Sequence, residues 1–341
     1  MVDLKRLHLM TGGPVVPAGC CNRNHQTMKR TARLFVLALS AVAMVGCANG
    51  APAESSSVLV CNGVWTDGSR AREIPVRIRM PSEGAGLPVV IYSHGLGGSV
   101  AAGERWSEAW AGLGIATVHI QHAGSDTAVL RSGKMKQAAS GEQLIARIGD
   151  VQFALDQVEA GVSVAGCDLG RASANHAGVA GHSFGAHTTL AIAGQTFAGE
   201  QAGYDPRFKA ALAFSPAPPE RTGTEADAVA FGSISIPTMM ITGTEDTVPI
   251  NSTTAADRVR PYDALATGHK YLLVFDGANH AAFSGNWRQR PHAAPAPRVV
   301  SSVQRATGLF WRAHLADDAV ARDQLADFGS ELSGDDRFST K

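Results

Sequence analysis

Runs of apolar residues alternate with amphipathic stretches from Val58 onward. The runs Val58–Trp65 and Ile74–Met80 predict a pair of strands, because the turn-forming residues Asp67 and Gly68 lie between them. Three later runs are continuously apolar, which is typical of strands that are buried on both faces of a sheet. These runs are Ala210–Phe214, Thr238–Thr242 and Tyr271–Phe275, and shorter strands are predicted at Pro88–Tyr92, at Ile115–Ile120 and around Val179.

Segments with helical periodicity lie between these strands. The segment Ser140–Glu159 carries apolar side chains three and four positions apart and predicts a long amphipathic helix. Shorter helices are predicted at Glu104–Ala111, Phe184–Ala193 and Val299–His314. A strand pair followed by repeated strand–helix units predicts an α/β fold with one mixed, mostly parallel sheet, helices on both faces, small loop insertions and no large cap. We expect this domain to span residues 58–315 and residues 316–341 to form a charged C-terminal tail, either as a surface helix or as a frayed segment.

The N-terminal segment has the pattern of an export signal. Three basic residues lie between Met28 and the apolar run Leu34–Val45, and small residues follow that run. A basic start, an apolar run of about 12 residues and a small residue before the cleavage site are typical of secretory signals. The run is short for a transmembrane helix. We therefore expect residues 1–47 to be leader and signal peptide and residues 48–57 to be a small, polar tether.

Cys47 resembles the lipidated cysteine of bacterial lipoproteins, with Met44-Val45-Gly46 directly before it. The first interpretation is therefore an exported lipoprotein of the periplasm or outer cell envelope, which touches a membrane through its lipid anchor. The second interpretation is a secreted protein whose signal is cleaved near Ala51-Pro52-Ala53.

Charge argues against nucleic acid as a partner. Lys and Arg number 30, as do Asp and Glu; residues 1–46 hold six of the basic residues and one acidic residue, so the chain after them has a formal net charge of −5. Such a chain has no excess of positive charge to attract phosphates.

After export, Cys61 and Cys167 meet an oxidising compartment that permits a disulfide between them, and two buried free thiols are the alternative.

Ser183 is the candidate nucleophile. It is the central residue of Gly181-His182-Ser183-Phe184-Gly185, which follows the strand around Val179 and opens a helix. A serine in a G-x-S-x-G motif between a strand and a helix lies on a sharp turn that lifts its hydroxyl above the sheet. The flanking glycines permit this turn, because a Cβ at either position would crowd it. The helix N-terminus then points at negative charge that develops during a reaction.

A serine hydroxyl needs a base, and the order expected after a G-x-S-x-G motif is serine, acid, histidine. His280 follows the predicted strand Tyr271–Phe275 and is the candidate base. Asp246 follows the strand Thr238–Thr242 and is the candidate acid, because a short carboxylate at a fixed loop position holds the second imidazole nitrogen. Its neighbour Glu245 is the alternative acid; otherwise it is a solvated turn residue.

Backbone amides are the predicted donors to the oxyanion of a tetrahedral intermediate. One is the amide of Phe184, directly after the nucleophile, and the other belongs to the Gly-rich turn around Leu96. We assign the second donor to Leu96, with Gly95 as the alternative. His94 and His182 are expected to form hydrogen bonds within their loops and not to act as the base.

Four features together resemble a known family. They are Ser93-His94-Gly95-Leu96-Gly97-Gly98, Gln121-His122-Ala123-Gly124-Ser125-Asp126, the motif around Ser183, and the Asp246 and His280 loops. They resemble the bacterial predicted dienelactone hydrolases, which are similar to the plasma-type platelet-activating-factor acetylhydrolases. The resemblance covers roughly Val58 to His314 and implies the α/β-hydrolase fold. It also supports Leu96 over Gly95 as the oxyanion donor.

The sequence departs from these families at two places. Dienelactone hydrolases use a cysteine nucleophile where this chain has Ser183, so their substrate does not carry over. The acetylhydrolases place their acid after the strand that follows the nucleophile. Here that strand ends at Phe214-Ser215-Pro216 and the next acid is Glu220, whereas Asp246 lies one strand later. This second departure argues against transferring a phospholipid substrate.

We therefore expect a serine esterase, without a cofactor, that cleaves a small-molecule or lipid-like carboxylic ester through an acyl-enzyme. The chain has no H-E-x-x-H motif and no compact Cys/His cluster, which argues against a metal. A peptidase or amidase with the same triad is the enzymatic alternative. A non-catalytic, exported binding protein on a hydrolase scaffold is the alternative of another class.

Overall fold

The computed structural model describes residues 57–219, 224–248, 252–288 and 293–341. The expected signal peptide, Cys47 and nearly all of the expected tether lie outside these residues. No helix in the described part of the chain is long and apolar enough to span a bilayer.

The described strands build one large sheet and one short hairpin. In chain order they are β1 (Val58–Asp67), β2 (Arg72–Pro81), β3 (Leu87–Ser93), β4 (Ala116–Ile120), β5 (Ala172–His182), β6 (Thr196–Phe197), β7 (Glu200–Gln201), β8 (Phe208–Phe214), β9 (Thr238–Glu245), β10 (Lys270–Asn279) and β11 (Arg337–Thr340). The large sheet has the order β1-β2-β4-β3-β5-β8-β9-β10-β11, and β6 pairs with β7 alone. The β1–β2, β2–β4 and β10–β11 pairs are antiparallel, and all other pairs of the large sheet are parallel.

Helices cover both faces of this sheet. They are α1 (Glu104–Ala111), α2 (Val129–Ser132), α3 (Met135–Ala138), α4 (Gly141–Glu159), α5 (Phe184–Ala193), α6 (Thr224–Phe231), α7 (Arg260–Asp263), α8 (Pro297–Leu315) and α9 (Ala319–Ala326). The apolar stripes of α4 and α5 belong to one core cluster, and those of α1, α8 and α9 belong to a second cluster. Because both faces are covered, the central strands bury nearly all of their side chains, which explains their continuously apolar sequences. The predicted α/β architecture is confirmed.

A glycine in β5 lets α8 approach the middle of the sheet. A Cβ added to Gly178 in β5 would lie 2.6 Å from the ring of Trp311 in α8. Trp311 is fully buried and meets the ring of Trp110 from α1 edge-on, with ring centroids 5.7 Å apart. This packing fixes the position of β5, the strand that leads to Ser183.

Residues 316–341 are part of the domain, which corrects the expected domain boundary at residue 315. The α9 helix buries Ala321 and Leu325 in the second core cluster, and β11 adds the last strand to the sheet by pairing with β10. The ring of Phe338 stacks on Tyr271 of β10, with centroids 6.1 Å apart. Sequence alone did not indicate this arrangement, because single apolar residues are widely spaced among charged ones and the partner strand is distant in the chain.

A disulfide joins Cys61 of β1 to Cys167, with their Cα atoms 5.9 Å apart. Cys167 lies in a tight turn after α4, in which it exchanges two backbone hydrogen bonds of 2.8 Å with Val164. The cross-link therefore ties the edge strand β1 to the connection between α4 and β5. It closes a sequence separation of 106 residues, and a cross-link of that span stabilises the fold mainly by restricting the unfolded chain.

Candidate active site

Ser183 occupies the turn between β5 and α5 in a strained backbone conformation. Its φ is 57° and its ψ is −116°, which is unusual for a residue with a Cβ. The Ser183 amide donates to the carbonyl of Phe214 in β8 over 2.9 Å, and the Ser183 carbonyl accepts from the amides of Ala186 and His187 in α5. The sheet on one side and the helix on the other thus hold the turn in this conformation.

The glycines on either side of Ser183 are required by close backbone contacts. A Cβ added to Gly181 would lie 2.3 Å from the carbonyl oxygen of Gly185. A Cβ added to Gly185 would lie 2.0 Å from the carbonyl oxygen of Ser93, at the end of β3. The start of α5 therefore packs directly against the turn that follows β3, and side chains at either position would separate them.

We expect Gly185→Ala to lower the free energy of unfolding by about 3 kcal/mol, because the atom that its Cβ would meet belongs to fixed backbone. Gly141→Ala is the matched control, since Gly141 begins α4 and nothing lies within 4 Å of a Cβ added there. Denaturant titration of both variants measures the difference. Equal stability of the two variants would contradict the packing described for the turn.

Asp246 and His280 are brought together by two adjacent parallel strands. Glu245 of β9 pairs with Asn279 of β10, and the two candidate residues come directly after this pair. Asp246 Oδ1 lies 2.7 Å from His280 Nδ1. Because a carboxylate only accepts hydrogen bonds, Nδ1 carries the proton and Nε2 of a neutral His280 is the acceptor nitrogen. The His280 side chain is 17% exposed, so its ring reaches the protein surface.

The Asp246 carboxylate is buried but well supported. Thr242 Oγ1 donates to Oδ2 over 2.9 Å, and Arg258 Nε lies 2.8 Å from Oδ1. Burial raises the pKa of Asp246. The hydrogen bond from His280 and the charges of His280 and Arg258 lower this pKa by more than burial raises it, so the net pKa lies below the usual value. Asp246 therefore remains ionised at neutral pH. Its alternative, Glu245, is exposed at the end of β9.

The Gly-rich turn after β3 lies against Ser183, the candidate nucleophile. A Cβ added to Gly95 would lie 3.4 Å from the Cβ of Ser183. The amide of Gly97 donates to the carbonyl of Ser125 over 2.9 Å, which shapes the turn. Within the described ranges, the amides of Gly95, Leu96 and Phe184 donate to no protein acceptor, so each is available to a ligand.

The two histidines in these turns have structural hydrogen bonds. His94 Nδ1 lies 2.6 Å from the Gly95 carbonyl, and its Nε2 accepts from the amide of His122 over 3.0 Å. His182 Nε2 lies 3.0 Å from the carbonyl of His280, so it joins the turn at Ser183 to the His280 loop instead of bonding within its own turn. Burial, together with the neighbouring His280, lowers the pKa of His182 to about 3, so His182 is neutral and donates this bond.

Comparison with known proteins supports the fold that this geometry indicates. A family model described as serine hydrolase (FSH1) matches residues 153–269, a segment that contains Ser183 and Asp246 but ends before His280. A ferulic acid esterase from Streptomyces cinnamoneus is similar in structure, with a TM-score of 0.57 and 18% identity over 79% of this chain and 93% of that protein. The chain has the α/β-hydrolase fold. No curated protein matches the sequence.

Two arginines near these residues were not among the predicted site residues. Arg258 donates through Nη1 to the carbonyls of Ser215 and Pro216, over 2.9 and 3.3 Å, while its Nε faces Asp246. It lies in an irregular segment without periodicity, so no pattern marked it. Arg147 lies on the apolar stripe of α4. A charged residue at such a position indicates a buried charge with specific partners, so the sequence pattern could have pointed to it. The described residues contain no group of three or more His, Cys, Asp or Glu that could hold a metal ion.

Proposed function

We propose that the protein is a serine esterase that cleaves carboxylic esters through an acyl-enzyme. The observation that carries this proposal is the 2.7 Å contact between Asp246 and His280. Both residues follow parallel strands that end at the same edge of the sheet as β5, and β5 ends next to Ser183. A carboxylate–imidazole pair at the edge that carries a strained serine is the arrangement needed to activate the hydroxyl.

The proposed reaction proceeds in two halves. His280 Nε2 takes the proton of Ser183 Oγ as the oxygen attacks the ester carbonyl, and Asp246 stabilises the imidazolium. The amides of Leu96 and Phe184 donate to the oxyanion of the tetrahedral intermediate. His280 then gives the proton to the departing alcohol, which leaves an acyl group on Ser183. Water, deprotonated by His280, releases the acid and restores the serine.

The substrate class in this proposal is a small-molecule or lipid-like ester, and nucleic acid is not a partner. Membership of the bacterial predicted dienelactone hydrolase branch is part of the proposal and rests on the sequence resemblance. The structural similarity to a ferulic acid esterase adds a ferulate ester to the substrates worth testing. A lysophospholipid and p-nitrophenyl esters of increasing acyl length complete the series.

Export is also part of the proposal. The Cys61–Cys167 disulfide supports an oxidising location, because such bonds persist outside the reducing cytosol. The protein is then either a lipoprotein anchored through Cys47 or a secreted enzyme without an anchor. Mass analysis of the N-terminal peptide of the mature protein distinguishes an acylated Cys47 from a simple cleavage.

The experiment that tests the activity combines labelling and kinetics on the full chain. A fluorophosphonate probe is expected to form one covalent adduct, at Ser183, and p-nitrophenyl butyrate is expected to be hydrolysed. Faster cleavage of aminoacyl p-nitroanilides than of matched esters would favour a peptidase or amidase. A folded protein with neither an adduct nor hydrolysis would favour a non-catalytic binding protein.

A further inference from the structure

Arg147 is a buried charge close to the proposed catalytic groups, with no role in the reaction as described above. It lies in α4 on the same face as Leu144, Ile148 and Val151, and it is fully buried. Burial of a guanidinium is costly unless all of its donors find acceptors. The number and the placement of its partners therefore indicate what the residue does.

The Arg147 guanidinium is held by neutral oxygens from three different segments. Its Nε donates to Thr188 Oγ1 over 3.0 Å, and its Nη1 donates to Ser125 Oγ over 2.8 Å. Its Nη2 donates to Ser93 Oγ over 3.0 Å and to the carbonyl of His94. No carboxylate in the described segments forms a salt bridge with it.

The carboxylate of Asp150, one turn further along α4, is occupied by other cations. Arg70 Nη1 lies 2.9 Å from its Oδ1, and Arg72 Nη2 lies 2.7 Å from its Oδ2. The positive charge of Arg147 is therefore not neutralised by a direct partner. In a buried environment such a charge acts on its surroundings more strongly than it would in water.

Arg147 holds both flanks of Leu96. On one side it binds the carbonyl of His94, two residues before Leu96. On the other side it binds the hydroxyl of Ser125, and the carbonyl of Ser125 accepts from the amide of Gly97, directly after Leu96. The direction of the Leu96 amide is thus set by two contacts that meet at one guanidinium.

The same guanidinium holds the residue that carries the other proposed oxyanion donor. The carbon at the centre of the Arg147 guanidinium lies 4.6 Å from the centre of the Phe184 ring. Thr188, which accepts from Arg147 Nε, donates to the carbonyl of Phe184 over 3.2 Å. Both proposed donors are therefore fixed against one side chain.

We propose that Arg147 is the positioning residue of the oxyanion hole: it fixes the Leu96 and Phe184 amides relative to each other, and its charge favours negative charge on the substrate oxygen. This inference rests on the proposed function and adds to it the residue that organises the site. Donors held in place before the reaction stabilise an oxyanion most, because no reorganisation is needed as charge develops.

A second Ser–His–Asp arrangement supports Arg147 and is not a second active site. The Asp150 carboxylate only accepts, so His122 Nδ1 donates to Asp150 Oδ2 over 3.0 Å. Nε2 of the neutral ring then accepts from Ser93 Oγ over 2.9 Å, and Ser93 Oγ in turn accepts from Arg147. All three side chains are fully buried, so no substrate reaches them. Burial, with the nearby Arg147 charge, lowers the pKa of His122 to about 3. The neutral ring therefore fixes the directions of these hydrogen bonds.

The test compares Arg147→Met and Arg147→Lys with the wild-type protein. Met fills much of the volume but has neither charge nor donors, whereas Lys keeps the charge and loses the planar fork. We expect kcat/KM for p-nitrophenyl butyrate to fall about 100-fold in R147M and about 10-fold in R147K.

Affinity for a trifluoromethyl ketone separates an oxyanion effect from a general loss of structure. Ser183 Oγ bonds to the ketone carbon, its proton passes to His280, and the carbonyl oxygen becomes an oxyanion that resembles the tetrahedral intermediate. We expect the inhibition constant to rise by the same factor as kcat/KM falls in each variant. Arg171→Met is the control, because Arg171 also donates to neutral carbonyls but lies before the start of β5, at the opposite end from Ser183.

The outcomes distinguish the two proposals. An inactive, unlabelled wild-type protein would overturn the proposed function and this role with it. If the wild-type protein is active, a folded R147M within about threefold of it overturns the role of Arg147 alone, as does lost activity with unchanged affinity for the ketone. Circular dichroism and thermal melting establish folding, and R147K is judged by the same criteria if R147M does not fold.

Discussion

Replacing Ser183 with alanine is expected to lower kcat/KM for p-nitrophenyl butyrate by about 10⁵-fold and to leave the fold intact. The change removes the proposed attacking oxygen. It keeps the Cβ, so the backbone at φ 57° is no more strained than before. The hydrogen bonds of the Ser183 backbone to Phe214 and α5 do not involve the hydroxyl. The remaining rate would come from the oxyanion donors and from substrate binding.

Steady-state kinetics and thermal melting of the S183A variant measure both parts of this expectation. Ser301→Ala is the control, because Ser301 is exposed on α8 and its hydroxyl bonds to carbonyls of its own helix. It should keep the wild-type rate. More than about 1% of that rate in pure S183A would place the nucleophile elsewhere.

The elements nearest to Ser183 could be predicted from the sequence because local signals mark where they begin and end. The helices α1 and α5 have the predicted bounds, Glu104–Ala111 and Phe184–Ala193. The first lies between Gly103 and Gly112, and the second ends at Gly194 with φ 116°. Glycine next to a helix end is a strong signal, since it takes backbone conformations that other residues avoid.

The pairing of Asp246 with His280 could also be anticipated, since each follows an apolar run. Two neighbouring parallel strands end at the same edge, and the Glu245–Asn279 pair in their ladder brings the following residues together. Sequence order alone could not fix that register. A bulge in β10 between Phe275 and Asn279 sets it, and nothing in the apolar run Tyr271–Phe275 indicates a bulge.

The contacts of Arg147 and of β11 could not be derived from the sequence, because they join distant parts of the chain. Arg147 lies 22 to 54 residues from the side chains and carbonyls that it binds. The strand β11 pairs Thr340 with Tyr271. Periodicity reports on the nearest few residues, whereas these contacts depend on which strands become neighbours in the folded sheet.

One arginine connects the ends of β8 and β9, the two strands after which an acid could follow. Ser215 follows β8, the strand after Ser183 in the large sheet, and Asp246 follows β9. Arg258 donates to the Ser215 carbonyl and lies 2.8 Å from Asp246 Oδ1, so one guanidinium connects the ends of both strands. A carboxylate after β9 therefore has a cation to balance it, and Glu220 lies outside the described residues.

Asp246→Asn is expected to lower kcat/KM about 10⁴-fold with little change in KM. An amide that turns its NH₂ group toward His280 Nδ1 moves the imidazole proton to Nε2, which then cannot accept the proton of Ser183. The change also leaves Arg258 without its carboxylate, so the thermal midpoint should fall. Glu245→Gln is the matched control, since Glu245 is the adjacent, exposed carboxylate, and its rate should stay within about twofold. Losses of similar size in D246N and E245Q would contradict the assignment of Asp246 as the acid.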